Sequence, residues 1–82
     1  MTETDIYTPL TAIMRDLLMQ DNLVLSADLT PAQVKGWDSL MTISIIVAVE
    51  AHFGIRLQSQ ELDSIEKVGD LVGLIQSHTS VQ

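Results

Sequence analysis

Five residues, Gly36-Trp37-Asp38-Ser39-Leu40, place one serine hydroxyl directly after a turn and at the expected start of a helix. Backbone N–H groups in a first helical turn have no intrahelical partner, and the aligned peptide dipoles put about half a positive charge there. A serine at that point is suited to carrying a phosphate ester, because the anion lies in a favourable field. The plainer reading is that Asp38 and Ser39 only cap the helix, as such pairs do in many proteins. Other chemistry-bearing residues are sparse: there is no cysteine, and the histidines are His52 and His78. Ser39 with a histidine and an aspartate has the residue types of a hydrolase triad, but the pattern has no strand-turn-helix elbow to present it. His52 lies thirteen residues beyond Ser39, about 20 Å along a continuous helix, too far to take the serine's proton. Both histidines are expected on the surface. With no His-x-x-x-His pair and no calcium-loop spacing, no metal site is expected, and Glu61, Asp63 and Glu66 read as a solvated acidic face.

The elements that must hold Ser39 in place are helical. Ile6, Leu10, Ile13, Met14, Leu17 and Leu18 recur at amphipathic spacing and predict a first helix from about Asp5 to Gln20. Pro9 is tolerated in a first turn, which puts the start between Asp5 and Thr8. From Asp21 to Trp37 no period is sustained. Leu23, Val24, Leu25, Leu29 and Val34 are expected to anchor this long loop, with a short turn near Pro31 to Val34 and another at Gly36. Trp37 is expected to cover the start of the second helix by packing against the loop. That helix runs from Ser39 to Phe53, with Asp38 as N-cap and Gly54 as terminator. Its β-branched run, Thr42 to Val49, also fits a buried strand, but the interval gives about four turns and puts Ile45, Ile46, Val49 and Phe53 on one arc. After the connection Ile55-Arg56-Leu57, residues Ser59 to Ser64 read as one or two helical turns. A last helix follows from Val68 to His78, buried along Leu71, Val72, Leu74 and Ile75. Lys67 stands where a capping side chain is expected, and Gly69 and Gly73 would each weaken this helix by roughly 1 kcal/mol unless a neighbour comes close. The fold expected is all-α: a small bundle of three principal helices plus one short helix, with a long loop between the first two. Residues 1–82 form one carrier-sized domain, with 1–4 and 79–82 frayed.

Composition narrows the function classes. The chain has 82 residues, 46% of them hydrophobic, and a net charge of −7 from eleven acids against four bases. That size suits a carrier or interaction module better than an enzyme. The charge argues against nucleic acid and anionic membranes as partners and for basic protein surfaces. No stretch reaches the roughly 20 apolar residues of a spanning helix, and the acidic start Met-Thr-Glu-Thr-Asp is unlike a targeting peptide. A cytoplasmic monomer is the expectation.

Gly36-Trp37-Asp38-Ser39-Leu40 resembles the Asp-Ser-Leu attachment motif of the acyl carrier proteins, and the resemblance extends over nearly the whole chain. Asp28-Leu29-Thr30-Pro31 precedes it, Glu50-Ala51-His52-Phe53-Gly54-Ile55 ends the aliphatic helix, and Val68-Gly69-Asp70-Leu71 opens the last one. The resemblance implies a non-enzymatic carrier. Ser39 would hold 4′-phosphopantetheine, derived from coenzyme A, whose thiol carries acyl groups. Asp38 would assist the phosphopantetheinyl transferase. Partner enzymes such as a ketosynthase, an acyltransferase or an acyl-carrier synthetase would dock along the second helix.

Leu40, Ser44, Val47 and Ala51 form a separate stripe beside Ser39, with Met41 next to it. It is either a partner-docking face or extra core under the long loop. Ile43, Ile46, Val49, Leu62, Ile65 and Leu71 are core residues that could also shelter an acyl chain. In fatty-acid-synthesis carriers the second helix is strongly acidic. Here Met41 and Ser44 occupy commonly acidic positions, and Ala51 and His52 replace most of a glutamate run, leaving Glu50. That departure implies a specialised fatty-acid, lipid or polyketide pathway with a more apolar interface. Two alternatives stand beside this: an aminoacyl or peptidyl carrier using the same arm, and a helical adaptor in which Ser39 is only a cap.

Overall fold

Thr2 opens the first helix by exchanging two hydrogen bonds with Asp5. The Asp5 backbone N–H donates to Thr2 Oγ1 at 3.3 Å, and the Thr2 N–H donates to Asp5 Oδ2 at 2.9 Å. This reciprocal box satisfies two donors that the helix itself leaves unpaired. The Thr2 backbone N–H, and then its hydroxyl, hold the Asp5 carboxyl below the usual carboxylate range. Helix α1 then spans Glu3–Leu18 in the computed structural model, which describes residues 2–79.

The start precedes the expected Asp5 to Thr8, and Pro9 therefore lies inside the helix rather than in its first turn. An interior proline costs roughly 3 kcal/mol through the lost hydrogen bond and the ring's clash with the preceding turn. Burial opposes that cost: Ile6, Leu10 and Met14, at i, i+4 and i+8, are each 0% exposed. Only a helix continuing through Pro9 brings Ile6 into that row. The helix ends at Leu18, two residues before the expected Gln20, where Met19 turns left-handed at φ 57°. Thr2 to Thr4 and Thr79, expected among the frayed termini, belong to the helices or their caps. Residues 1 and 80–82 lie outside the described residues.

Helix α2 spans Ser39–Phe53, as the punctuation predicts, and its β-branched run is helical. Ile45, Ile46 and Val49 are buried and Phe53 half-buried on the predicted arc. Gly54, at φ 68°, closes the helix by donating its N–H to Glu50 O at 2.9 Å. Helix α3 is Ser59–Asp63 and helix α4 is Val68–Thr79. No strand forms among the described residues, and α1 packs against both α2 and α4.

The long loop is tied down at both ends and in the middle. Gln20 Nε2 donates to Lys35 O at 2.6 Å and Arg15 Nε to Leu23 O at 2.8 Å. Pro31–Gln33 forms a single 3₁₀ turn, and Val34 and Trp37 are buried. Leu23, Leu25 and Leu29 are half-buried anchors, whereas Val24 points outward, 75% exposed, and anchors nothing. The loop also supplies the cap that Lys67 cannot. Val68 N–H donates to Leu29 O and Gly69 N–H to Ala27 O, each at 2.9 Å. Asp70 Oδ2 accepts from Glu66 N–H and Lys67 N–H.

That cap explains Gly69. A Cβ there would stand 3.0 Å from Ala27 O and 3.1 Å from Ala27 Cβ, against backbone that cannot easily move, while a Cβ on Gly73 meets nothing within 4 Å. Gly69→Ala should lower the unfolding free energy by about 1–3 kcal/mol, as overpacking does. Gly73→Ala should raise it by roughly 0.5–1 kcal/mol through helix propensity. Urea unfolding of the two variants checks the opposite signs.

Candidate functional site

Ser39 is presented by a short chain of contacts built from its neighbours. Gly36 takes φ 85°, a left-handed conformation that turns the loop under α1 and toward α2. Trp37 is 6% exposed, and its indole Nε1–H donates to Thr42 Oγ1 at 2.9 Å. The Thr42 hydroxyl in turn donates to Asp38 O at 3.0 Å. Asp38 Oδ1 accepts the Met41 N–H at 2.8 Å, the expected N-cap bond. Trp37 thus covers the first turn of α2 as expected. Thr42, which no motif in the sequence singles out, is the residue that joins indole to helix.

With those groups committed, Ser39 is the first residue of α2 and exposed, and its hydroxyl has no hydrogen-bond partner among the described residues. It opens onto a groove of about 630 Å³ between α2 and α3, walled by Thr42, Ile43, Leu62, Asp63 and Ile65. Thr42, Ile43 and Leu62 are shared with a second, more apolar cleft of about 340 Å³ that extends to Ile46, Val47, Arg56 and Leu57. An open hydroxyl beside a groove is an arrangement that could anchor a covalently attached chain and offer it a surface to lie against.

The six residues considered for an acyl shelter divide accordingly. Ile43, Leu62 and Ile65 line the groove beside Ser39, and Ile46 lines its extension. Val49 and Leu71, 0% and 2% exposed, face the core and line neither cleft. Apolar character alone does not distinguish the residues buried in the core from those that line the groove.

The stripe beside Ser39 is not extra core. Leu40 is 75% and Val47 60% exposed, Ser44 and Ala51 are also exposed, and Met41 is half-buried. Ile43, 59% exposed, extends the apolar surface toward the groove. Glu50, the one acid of α2, is spent within the fold: its Oε2 accepts the Leu57 N–H at 2.8 Å and fixes the connection to α3.

The histidines part company. His52 is exposed and stands edge-on to Phe53, with ring centroids 4.9 Å apart. His78 is not a plain surface residue: it is half-buried, and its Nε2 meets Glu61 Oε2 at 2.8 Å. Glu61 likewise leaves the expected solvated face. The Gln58 N–H, and then His78, hold its carboxyl below the usual range. Asp63 and Glu66 are exposed as expected, and no group of three or more metal-ligating side chains is assembled among the described residues. No helix there is long and apolar enough to cross a membrane.

Residues 9–75 match the family model described as a phosphopantetheine attachment site. The chain is 39% identical over 56 residues to an acyl carrier protein of Rickettsia bellii, covering 68% of this chain and 69% of that one. An acyl carrier protein of Clostridium acetobutylicum is 39% identical over 44 residues, 54% of this chain and 57% of its own length. Among solved structures, the solution structure of a holo acyl carrier protein from Geobacter metallireducens superimposes with a TM-score of 0.82 at 32% identity, covering 88% of this chain and 83% of that one.

Asp38 has a structural duty that can be separated from its charge. Asp38→Ala should cost about 1 kcal/mol of stability by removing the cap on Met41, whereas Asp38→Asn, an equally good cap, should cost much less. Urea unfolding of both variants measures the difference. It also provides a folded, uncharged Asp38 variant for assays at Ser39.

Proposed function

The chain belongs to the phosphopantetheine-attachment family of acyl carrier proteins, and on that premise we propose that Ser39 is the residue that carries the arm. The protein is a carrier rather than an enzyme, and its prosthetic group is a covalently attached 4′-phosphopantetheine. When attached, the arm supplies a terminal thiol that holds acyl groups as thioesters.

The observation that carries the assignment is the exposed, unpartnered Ser39 hydroxyl at the first position of α2. A phosphodiester there would lie at the positive end of the helix dipole, and the oxygen need give up no internal hydrogen bond to form it. Asp38 keeps the turn closed through Met41 while Ser39 faces solvent, and it is the carboxylate nearest in sequence for an incoming transferase. Incubation with coenzyme A and a broad-specificity phosphopantetheinyl transferase should add the mass of one arm to the wild type and none to Ser39→Ala. An unmodified wild type that is demonstrably folded would instead make Ser39 a cap and the protein an adaptor.

Partner enzymes, in this proposal, dock on the α2 surface formed by Leu40, Met41, Ser44, Val47 and Ala51. Support comes from the exposure of Leu40 and Val47 beside Ser39 and from the engagement of Glu50 with Leu57. Together they leave an apolar face without a free carboxylate. The reading that follows is a monomeric cytoplasmic carrier serving a specialised fatty-acid, lipid or polyketide pathway. An ordinary carrier offers basic partners several exposed ion pairs on this helix, each worth about 0.2–1 kcal/mol. Housekeeping ketosynthases and acyltransferases should therefore use this protein roughly tenfold less well than an ordinary fatty-acid carrier. Matched initial-rate assays check this, and equal rates across several such enzymes would contradict the specialised reading.

A further inference from the structure

Away from Ser39, one side-chain contact joins a carboxylate to a base among the described residues: Glu61 Oε2 on α3 meets His78 Nε2 on α4 at 2.8 Å, a hydrogen bond that becomes an ion pair when the imidazole is protonated. Helix α3 has five residues, too few to be held by its own backbone bonds, and none of its side chains is fully buried. Its other polar contacts are local. Gln58 N–H donates to Glu61 Oε1 at 3.0 Å, and Ser64 Oγ–H donates to Glu61 O at 2.7 Å. Leu62 and Ile65 give it a half-buried apolar footing on the core. The Glu61–His78 contact is thus the one directional link from α3 to another helix among the described residues.

The same short helix is a wall of the groove at Ser39. Ser59, Leu62 and Asp63 stand across it from Ser39, Thr42 and Ile43. Glu61 is absent from that wall and reaches α4 instead. We propose that the Glu61–His78 pair is a latch that fixes α3 on α4 and, through Leu62, sets the width of the groove beside Ser39. With the pair made, the wall has a defined position. With it broken, α3 keeps only an apolar footing, which is non-directional and permits sliding. The consequence for a carried acyl group rests on Ser39 holding the arm, but the latch itself does not.

The test begins on the protein without its arm. Glu61→Gln keeps an oxygen for the Gln58 N–H and removes the charge, and His78→Gln removes the imidazole from the other side. Because a half-exposed pair is modest in strength, each variant should speed amide exchange at Leu62, Ser64 and Ile65 by roughly two- to fivefold. The double variant should show no greater change, since the residues act through one contact. Amides of α1 and α2 should be unaffected, which separates latch release from general destabilisation. Unchanged exchange in α3, or additive effects of the two substitutions, would overturn the latch.

A second arm of the experiment uses an octanoyl-phosphopantetheine group loaded on the wild type and on each single variant. Hydroxylamine should cleave the thioester faster in the variants by a similar factor. Equal cleavage with a loosened α3 would overturn control of the groove. Failure of the wild type to accept the arm would count against Ser39 as the attachment site and leave the exchange result standing.

Discussion

The register of α2 depends on how its first turn is closed. Asp38 caps the Met41 N–H, while Trp37, Thr42 and the Asp38 carbonyl form a continuous line of hydrogen bonds across the same turn. A helix advances 100° per residue, so a start displaced by one position would swing Ser39 away from the groove it now adjoins. Burial of Trp37 opposes that displacement because the indole cannot follow without leaving the core. The loop behind Trp37 is held in turn by α1 through Arg15, by Gln20 just beyond that helix, and by α4 through the carbonyls of Ala27 and Leu29. A side chain whose hydroxyl makes no hydrogen bond among the described residues is therefore placed by several elements at once.

The acidic side chains are used unevenly. Several of the eleven acids are structural: Asp5, Asp38 and Asp70 hold helix starts, Glu50 holds the Leu57 connection, and Glu61 ties α3 to α4. The exposed side of α2 is left with aliphatic and small polar groups next to Ser39. If partners dock there, as proposed, a protein of net charge −7 would meet them at α2 with a surface that attracts by removal of apolar area from water more than by charge. Such a surface discriminates by shape. It gains little long-range steering of basic partners from its own helix, although the charge of the whole molecule still acts on them.

Legibility in the sequence followed the range of the interactions concerned. Helix α2 was readable at both ends because Asp38 and Gly54 are local signals, and its arc of Ile45, Ile46 and Val49 follows from the helical period alone. The start of α1 departs from the expected Asp5 to Thr8 because the Thr2 and Asp5 pair, a local capping box, starts the helix at Glu3 despite the preference of Pro9 for a first turn. The α4 cap was not legible: its acceptors are backbone carbonyls about forty residues earlier, which carry no residue type to recognise. The same holds for His78 and Glu61, seventeen residues apart and joined only when α3 packs. At the candidate site, the helix start at Asp38 and Ser39 is legible from a five-residue motif. Which aliphatic residues face the groove is not, since Val49 and Ile43 are chemically alike and differ only in that one is buried and the other lines the groove.

Among hydroxyls on α2, we assign the arm to Ser39 alone, although Ser44 is also exposed on the same helix. Trypsin should release both on one peptide, residues 36–56, because Lys35 and Arg56 bound a stretch without other basic cleavage sites. The direct measurement is fragmentation of that peptide by tandem mass spectrometry after coexpression with a phosphopantetheinyl transferase. The phosphopantetheine mass should appear on fragments containing Ser39 and be absent from those beginning after it. A modification carried by Ser44, or a peptide recovered wholly unmodified from folded protein, would contradict it.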